Sequence, residues 1–392
     1  MPTPLRIAFL LNPFTLVRPA GDHAPELARE LTALGHKVGT FGGAALPQSG
    51  DGRSTVEALG PKSFAPDAIV AYDSLSPAAW LGARTARSLG VPLILVESGN
   101  RSHKGPFSRA GLYLGERLWG PYVRRTARTL VALDPIARAR ALIGGFPEEN
   151  VVVLPPGIDP RVYRPGLSSA SIQRHGISGR ILLYVGRVER GRGLDVLIQA
   201  FAKTVGQRDD WSLVIAGEGS ARAETRASID RMGIGSRVQW LGRVREEELP
   251  GLFSVSTLLA VPALDDVVRG KNIMRAMACG LPVLASDRPS LRALVEPETS
   301  GLLVPAGDVA AWTEALRRAS MSPDARRRWG RRGREIAESR FSWTHVARTF
   351  ESLILHARGT TAFDAPRESD VDARVDAGVG VDLGVGLRTG RV

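Results

Sequence analysis

The chain has 392 residues, of which 43% are hydrophobic and 23% charged, with a formal net charge of +12. This length predicts a globular protein with two hydrophobic cores, because one domain usually holds about 100–200 residues. The single cysteine, Cys279, excludes an intrachain disulfide, and the six histidines lack metal-ligand spacing, so no structural metal is expected. The positive charge favours anionic ligands or surfaces. Only 6% of residues are aromatic and no basic stripe is interleaved with them, so no nucleic acid partner is expected.

Short apolar segments alternate with helical patterns through the first half of the chain, as in βαβ units. A helix is predicted over 24–34, ending at Gly35, and Asp134 is placed to cap another helix. The predicted strands are 6–11, 37–41, 68–71, 93–96, 129–133 and 151–154. Parallel strands wound by helices, and thus an α/β fold, are the expected result.

The alternation lapses over 155–180, which is rich in proline and turn-forming residues, and a domain boundary near residue 165 is predicted there. A second doubly wound domain is predicted over 166–340, with helices around 194–205, 246–253 and 310–319. Its strands are predicted at 181–185, 212–216, 238–241, 258–261, 283–285 and 302–304. A terminal helix is predicted within 341–358, crossing back to the first domain. The tail 359–392 offers little to bury and is predicted to be disordered.

Ligands of open α/β sheets bind at the carboxyl ends of the strands, so the loops there are candidates for a site. After the strand at 181–185, Gly186, Arg187 and Arg192 form a plausible diphosphate clamp, since guanidinium groups match phosphate oxygens. A solvated arginine loop is the alternative. After the strand at 212–216, Gly217 and Gly219 would let the backbone approach a ligand closely, with an ordinary turn as the alternative.

The segment 269–280 is a third candidate. Asn272 is placed to cap a short helix over 273–278, so that the amides of residues 271–274 point out of a positive helix end. An anion fits there, and Lys271 adds to the positive field. Arg275 in the first turn opposes the helix dipole unless a negative group lies nearby. The alternative is a surface helix whose charges face water.

The order and spacing of these motifs resemble the family 4 retaining glycosyltransferases, which have the GT-B fold. In the second half the resemblance rests on Gly186, Arg187 and Arg192, on 213–219 and 237–242, on MRAMACGLPV at 274–283, and on GLLVPAGD at 301–308. In the first half, residues 35–38 and PPGIDPRVYRP at 155–165 match the general pattern. The resemblance covers roughly residues 5–358. It implies two Rossmann-like domains facing across a cleft, the first for the acceptor and the second for a nucleotide sugar.

The resemblance implies transfer of a sugar from a nucleotide diphosphate donor, of UDP, GDP or ADP type, to an acceptor, with retained configuration and without an obligatory metal. Arg187 and Arg192 would neutralise the leaving diphosphate, although the family usually has lysine at the second position. The implied nucleotide-binding residues are Gly21, Gly186, Gly217, Gly219, Gly242, Arg243, Gly270, Lys271, Asn272, Ile273 and Arg275.

The family's paired glutamates are not preserved. They would fall at Val267 and Arg275, and neither residue is acidic. The second glutamate normally accepts hydrogen bonds from ribose hydroxyls, which arginine cannot do because it has no acceptor atom. Asp265 or Asp266 can take over the first role if the loop shifts by one or two residues. An additional anionic group on the donor that pairs with Arg275 is another explanation.

The first domain also departs from the family. Its usual glycine pair is reduced to Gly21. The histidine expected in the family aligns with Ser98, and Glu97 and His103 can fill that gap.

An active transferase is favoured because the phosphate-binding residues are intact. A GT-B protein that binds nucleotide sugars as a partner or regulator without catalysis is the alternative. A GT-B epimerase is less favoured, because the sequence lacks a convincing set of acids and a histidine. A dehydrogenase is less favoured still, because no G-x-G-x-x-G motif follows the first strand.

Basic and apolar residues are interleaved over residues 101–128, before the strand at 129–133. They are Arg101, Lys104, Phe107, Arg109, Leu112, Tyr113, Arg117, Leu118, Trp119, Arg124, Arg125 and Arg128. One interpretation is an amphipathic basic surface for a lipid-linked or anionic acceptor in glycoconjugate biosynthesis. The other is the solvated faces of two ordinary helices. No segment approaches the roughly 20 apolar residues of a membrane span, so we expect a cytoplasmic protein, with peripheral contact at the cytoplasmic membrane face.

Overall fold

The structure is a computed structural model that describes residues 3–11, 23–41, 60–98, 115–204, 210–266 and 270–359. The predictions for Gly21, His103, Val267 and residues 360–392 lie outside these ranges. The described part contains two six-stranded parallel sheets, one in each half of the chain. The predicted α/β fold with two doubly wound sheets is therefore confirmed.

The first sheet has the order β2-β1-β3-β4-β5-β6, and every neighbouring pair is parallel. Its strands are β1 (Arg6–Leu10), β2 (Lys37–Phe41), β3 (Ala68–Tyr72), β4 (Leu93–Glu97), β5 (Ala127–Ala132) and β6 (Val151–Val153). Its helices are α1 (His23–Ala33), α2 (Gly60–Ser63), α3 (Pro77–Leu89), α4 (Gly120–Thr126) and α5 (Pro135–Ile143). β3 and β4 are buried along their whole length, since helices cover both faces of a parallel sheet.

The second sheet has the order β12-β11-β10-β7-β8-β9, again parallel throughout. Its strands are β7 (Arg180–Val185), β8 (Trp211–Ala216), β9 (Val238–Gly242), β10 (Leu258–Val261), β11 (Val283–Ser286) and β12 (Gly301–Val304). Its helices are α6 (Ala170–Arg174), α7 (Leu194–Ala202), α8 (Arg222–Arg231), α9 (Leu249–Val255), α10 (Lys271–Ala278), α11 (Pro289–Arg292), α12 (Val309–Met321) and α13 (Pro323–Ser339). β7 lies in the middle, so the loop that follows it stands at the centre of the carboxyl end.

The last described helix, α14 (Trp343–Ala357), packs on α1 of the first domain. The hydroxyl of Ser342 caps it by accepting from the His345 amide at 3.3 Å. The backbone of Ile158 bonds to the segment before the helix, with its amide 2.7 Å from the Phe341 carbonyl oxygen. The buried face of α14 joins the core of the first sheet through Val346, Phe350, Leu353 and Ile354. Helix α14, from the end of the described chain, therefore belongs to the hydrophobic core of the first sheet.

Each of the twelve predicted strands is present, with ends shifted by at most two residues. The helix predicted over 246–253 is instead a 3₁₀ turn, Glu246–Glu248, followed by α9, and the helix predicted over 194–205 ends at Ala202. Several helices were not given a range from the sequence: α2, α3, α4, α8 and α11, together with α6, within the segment assigned to a linker, and the long α13. Within the described ranges, no helix combines the length and apolarity needed to span a bilayer.

Candidate active site

The loop between β7 and α7, residues 186–193, places two arginines at the carboxyl end of the second sheet and is called the arginine loop below. The Arg187 side chain is 62% exposed, with Nη1 3.0 Å from Oε1 of Glu189. The Arg192 side chain is 11% exposed, with Nη1 3.3 Å from Oδ1 of Asp265 and Nε 4.0 Å from Oε2 of Glu189. The solvated-loop alternative therefore does not describe Arg192, which two carboxylates hold in place. Arg187 reaches solvent.

Gly217 and Gly219 lie against the arginine loop. A β-carbon on Gly217 would lie 1.8 Å from the carbonyl oxygen of Gly186, and one on Gly219 would lie 2.1 Å from that of Val188. The Val188 amide also donates to the carbonyl of Glu218 at 2.9 Å. The backbone that these glycines approach closely is thus the neighbouring loop, and the expectation that a ligand also lies against them stays a prediction. They hold the arginine loop against the loop after β8.

The loop after β9 lies beside the same surface. Gly242 has a φ of 65°, and a β-carbon there would lie 2.9 Å from Oε1 of Glu218. Both oxygens of Glu218 accept from Nη1 of Arg222, at 2.8 and 3.0 Å. The side chain of Arg243, the next residue, is exposed. The loops after β7, β8 and β9 are therefore adjacent, as a nucleotide pocket at this end of the sheet requires.

Helix α10 begins at Lys271 and not at residue 273, and Gly270, with a φ of 68°, takes the capping position predicted for Asn272. Gly270 has no side chain that could cap the helix, and no described residue supplies a side-chain cap in its place. The Asn272 side chain instead donates from Nδ2 to the carbonyl of Val185 at 2.9 Å, tying the helix start to the end of β7. An uncapped, positive helix end therefore lies beside the arginine loop, and this arrangement suits an anion.

Arg275 is buried, with 5% of its surface exposed, so the surface-helix alternative is wrong at this position. Its Nη2 contacts Oε1 of Glu246, and its Nη1 donates to Oδ1 of Asn272 at 3.2 Å. The guanidinium carbon lies 5.2 Å from the centre of the Tyr163 ring. Because α10 begins at Lys271, Arg275 lies in its last turn and not in the first turn predicted for it, and Glu246 is the acid paired with it. A ligand anion would have to compete with Glu246 for Arg275.

The acids suggested for the first missing glutamate are both in ion pairs. Asp265 holds Arg192, and Asp266 binds Arg288 through both oxygens, with Oδ1 3.1 Å from Nε. A carboxylate held by an arginine at both oxygens has few acceptor sites left for a substrate. A role for Asp266 in the reaction stays a prediction.

The described carboxyl end of the first sheet carries buried polar side chains. Glu97 ends β4 and is 7% exposed, and its Oε1 accepts from the amide of Ser74 at 2.8 Å. Ser98, the residue aligned with the family's histidine, is fully buried and donates to Oδ1 of Asp73 at 3.2 Å. Glu97 also lines a small cavity with Arg140. The structure thus gives Glu97 a fixed orientation at this end of the sheet.

His23, at the start of α1, was missed by sequence reasoning. Its Nδ1 lies 2.9 Å from the hydroxyl of Tyr72, and its ring packs edge-on against Tyr72 and Trp343. Burial lowers its pKa to about 3, so the imidazole is neutral at physiological pH. A lone histidine before an apolar helix pattern gives no signal of this environment in the sequence.

Three further side chains were missed at the second sheet: Glu189, Glu246 and Tyr163. Glu189 contacts both arginines of the arginine loop, whereas Glu246 and Tyr163 surround Arg275. The glutamates at 246–248 fall at the start of the helix predicted over 246–253. Their position after a strand of the second sheet was the available signal, because loops at the carboxyl ends of strands carry ligand contacts.

Among the described residues, no group of three or more His, Cys, Asp or Glu side chains could hold a metal ion.

Two family models match the chain. The model described as "Glycosyl transferases group 1" matches residues 170–336, which include the arginine loop and α10. The model described as "Glycosyl transferase 4-like domain" matches residues 43–157, which include most of the first sheet. The two matches follow each other in the order that the two sheets have along the chain.

The chain is similar to enzymes named D-inositol 3-phosphate glycosyltransferase. It is 29% identical to the one from Saccharomonospora viridis over 306 residues, which are 72% of this chain and 69% of that protein. It is 30% identical to D-inositol 3-phosphate glycosyltransferase 1 from Catenulispora acidiphila, over 63% of this chain and 63% of that protein. The match to the Segniliparus rotundus protein, at 28% identity and 51% of this chain, spans only 45% of that relative. The chain thus matches less than two thirds of several of these relatives.

Solved structures share the fold at low sequence identity. HepE of Anabaena, solved in complex with UDP, has a TM-score of 0.68 at 19% identity, over 90% of this chain and 100% of that one. A glycosyltransferase from Rickettsia africae has a TM-score of 0.73 at 14% identity, over 92% and 100%. With the two family matches and the motifs at the second sheet, these findings show that the chain belongs to the group 1 glycosyltransferases, family 4 enzymes with the GT-B fold.

Proposed function

We propose that the chain transfers a sugar from a nucleotide diphosphate donor to an acceptor hydroxyl, with retention of the anomeric configuration. The observation that carries this proposal is the position of the arginine loop beside the uncapped start of α10. Negative charge develops on the diphosphate as its bond to the sugar breaks, and fixed cations and amide dipoles lower the energy of that state. In this proposal Arg187 and Arg192 contact the diphosphate, and no metal is required.

The proposed nucleotide pocket lies between the loops after β7, β8 and β9 and the start of α10. Its residues are Gly186, Gly217, Gly219, Gly242, Arg243, Gly270, Lys271, Asn272 and Ile273. Solved structures of HepE contain UDP and UDP-glucose. We therefore rank UDP-sugars first among the donors to test, ahead of GDP- and ADP-sugars.

A phosphorylated polyol or an anionic glycan is the proposed acceptor. The relatives are named for transfer involving D-inositol 3-phosphate, and the strongly basic chain attracts anions. In this proposal the acceptor binds at the carboxyl end of the first sheet, where Glu97 is held in place by Ser74. His103, which we also assign to the acceptor site, lies outside the described residues.

A basic groove lies at the opposite, amino end of the first sheet. It encloses about 1390 Å³, and four of its lining residues are Arg87, Arg117, Arg125 and Arg128. None of these four forms an ion pair with a described residue, and Leu118 beside them is 63% exposed. Exposed arginines around an apolar side chain suit a surface of anionic phospholipids. We propose that this groove holds the protein peripherally at a membrane that carries the acceptor.

A panel of UDP-, GDP- and ADP-sugars tests the transferase proposal. Binding would be followed by calorimetry, and slow donor hydrolysis by nucleotide release. We expect saturable binding of one donor with nucleotide release, and loss of both in Arg187→Ala. The Arg190→Ala variant is the matched control, because Arg190 belongs to the same loop but is 86% exposed and, among the described residues, pairs with Glu224 alone. Binding without release in the presence of acceptors would favour a non-catalytic protein, and no binding of any donor would contradict the site assignment.

Co-sedimentation with vesicles tests the membrane proposal separately. We expect binding to vesicles that contain phosphatidylglycerol but not to pure phosphatidylcholine, with strong salt dependence. The triple variant Arg117→Ala/Arg125→Ala/Arg128→Ala should lose this binding and keep nucleotide release. A triple variant that still binds the anionic vesicles as wild type does would exclude the groove as the contact.

A further inference from the structure

The ion pair between Arg275 and Glu246 places a carboxylate beside the proposed nucleotide pocket. We infer that Glu246 accepts a hydrogen bond from the ribose of the bound nucleotide, in place of the glutamate that the chain lacks at position 275. This inference rests on the proposed nucleotide site at the carboxyl end of the second sheet. A carboxylate that accepts from ribose hydroxyls recurs in nucleotide-binding α/β sheets, because it binds two adjacent hydroxyls better than a neutral group does.

Two other acids at this end of the sheet are paired with an arginine through both oxygens. Both oxygens of Glu218 accept from Arg222, and both oxygens of Asp266 accept from Arg288. Glu246 differs, because its contacts to described residues all go to Oε1. Its side chain is 65% exposed, so Oε2 is accessible to a ligand.

The partners of Oε1 fix the direction of the Glu246 carboxylate. Arg275 contacts Oε1, and the hydroxyl of Tyr163 donates to the same oxygen at 3.3 Å. Burial raises the pKa of Tyr163 well above its usual value, with Arg275 opposing this shift, so the hydroxyl stays protonated and remains a donor. Two donors on one oxygen leave the other oxygen for a ribose hydroxyl.

Asn272 connects this carboxylate to the phosphate end of the pocket. Its Oδ1 accepts from Arg275, and its Nδ2 donates to the carbonyl of Val185 at the end of β7. The contacts thus run from β7 through the start of α10 to Glu246. In our inference the nucleotide has its phosphates at the start of α10 and its ribose beside Glu246.

Arg275 also explains how a carboxylate is tolerated beside a diphosphate. An unpaired glutamate would repel phosphate groups, whereas a glutamate in contact with a buried guanidinium forms a nearly neutral pair. The hydrogen-bond acceptor is therefore retained while the net charge of the pocket stays positive. The arginine at position 275 is a positioning residue for Glu246 in this account.

Calorimetry with UDP, GDP and ADP, each compared with its 2′-deoxy analogue, tests this inference. We expect the nucleotide that binds wild type to bind about tenfold more tightly than its 2′-deoxy form, the effect of one charge-assisted hydrogen bond. The double variant Glu246→Leu/Arg275→Met removes the carboxylate without leaving a buried charge, and its preference should fall to about twofold or less. Glu247→Ala is the matched control, since Glu247 is exposed and pairs with Arg245, and it should keep the wild-type preference.

The outcomes separate this inference from the proposed function. Failure of every nucleotide to bind wild type would contradict the proposed pocket. Binding with no preference for the ribonucleotide, or with a preference that survives in a double variant shown to be folded by its thermal transition, would overturn the role of Glu246. The swapped variant Glu246→Arg/Arg275→Glu restores a carboxylate at position 275 and should recover the preference for the ribonucleotide.

Discussion

The carboxyl ends of the two sheets carry different kinds of polar groups. At the second sheet, arginines are paired with acids, as in Arg192 with Asp265 and Arg275 with Glu246. In the described part of the first sheet, buried groups are hydrogen-bonded, as in Glu97 with the Ser74 amide and His23 with Tyr72. Fixed cations suit a leaving diphosphate, whereas buried carboxyl and imidazole groups suit the recognition of an acceptor hydroxyl.

This difference shows how a missing family residue can be replaced. Position 275 holds a buried arginine where the resemblance implies a glutamate, and a neighbouring loop brings Glu246 to it. In our inference, the carboxylate at this end of the second sheet comes from that loop and not from position 275. Four predictions test this contrast between the two ends.

Arg192→Ala should have the largest effect. It removes a cation that two carboxylates hold toward the proposed diphosphate site, and we expect donor turnover to fall about 100- to 1000-fold. Nucleotide release measured with the donor that binds wild type checks this value. The Arg190→Ala protein should remain within about twofold of wild type. Equal losses in the two variants would mean that general charge, and not the held arginine, attracts the donor.

Gly217→Ala should destabilise the protein by about 3 kcal/mol, because the added methyl would meet the carbonyl of Gly186. Gly186→Ala is the informative partner variant, since its nearest protein contact would be an ordinary 3.4 Å to the Tyr184 hydroxyl. We expect Gly186→Ala to melt like wild type and to bind nucleotide more weakly. If Gly217→Ala melted like wild type, the packing role of this glycine would be wrong.

Glu246→Ala should cost about 2 kcal/mol in the free energy of unfolding, because it leaves a buried donor of Arg275 without an acceptor. Urea unfolding of this variant and of Glu247→Ala measures the difference, and the exposed control should change by less than about 0.5 kcal/mol. A stable Glu246→Ala protein would indicate that water satisfies Arg275 and that the pair is not structural.

The smallest effect is expected at the first sheet and depends on pH. The folded-state pKa of His23 is about 3, below its unfolded value of about 6.5, so protons bind preferentially to the unfolded chain below pH 6.5. This histidine should therefore remove about 1 kcal/mol of stability between pH 7 and pH 5.5. In His23→Asn, whose amide can replace Nδ1 toward Tyr72, the thermal transition should change less over that range. Equal pH slopes in variant and wild type would show that His23 is not buried as a neutral group.

Most of the fold was predictable because parallel strands are continuous apolar segments that turn-forming residues separate. Helix α13 was missed because it is rich in arginine and contains Gly330 and Gly333, which suggest interruption of a helix. In the structure Gly330 allows close packing, since a β-carbon there would lie 2.1 Å from the carbonyl oxygen of Gly280. Contact between distant segments, which local patterns do not encode, decides the role of such a glycine.

The site was predictable where one loop carries the residues and less so where two loops meet. Arg187, Arg192 and the start of α10 were identified from their place after a strand or at a helix start. The partner of Arg275 was not, because Glu246 lies 29 positions away and reaches it only through the packing of the β9 loop on α10. Glu189 was missed although it lies within the arginine loop, since acids near arginines in sequence look like ordinary surface pairs.

Amide hydrogen exchange with and without the bound nucleotide tests the central claim most directly. If the carboxyl end of the second sheet holds the diphosphate, the amides of the arginine loop and of residues 270–273 should exchange more slowly in the complex, because the ligand then accepts from them. Protection should weaken in Arg192→Ala at equal nucleotide concentration. Protection confined to other segments, with these amides unchanged at saturating nucleotide, would contradict the account.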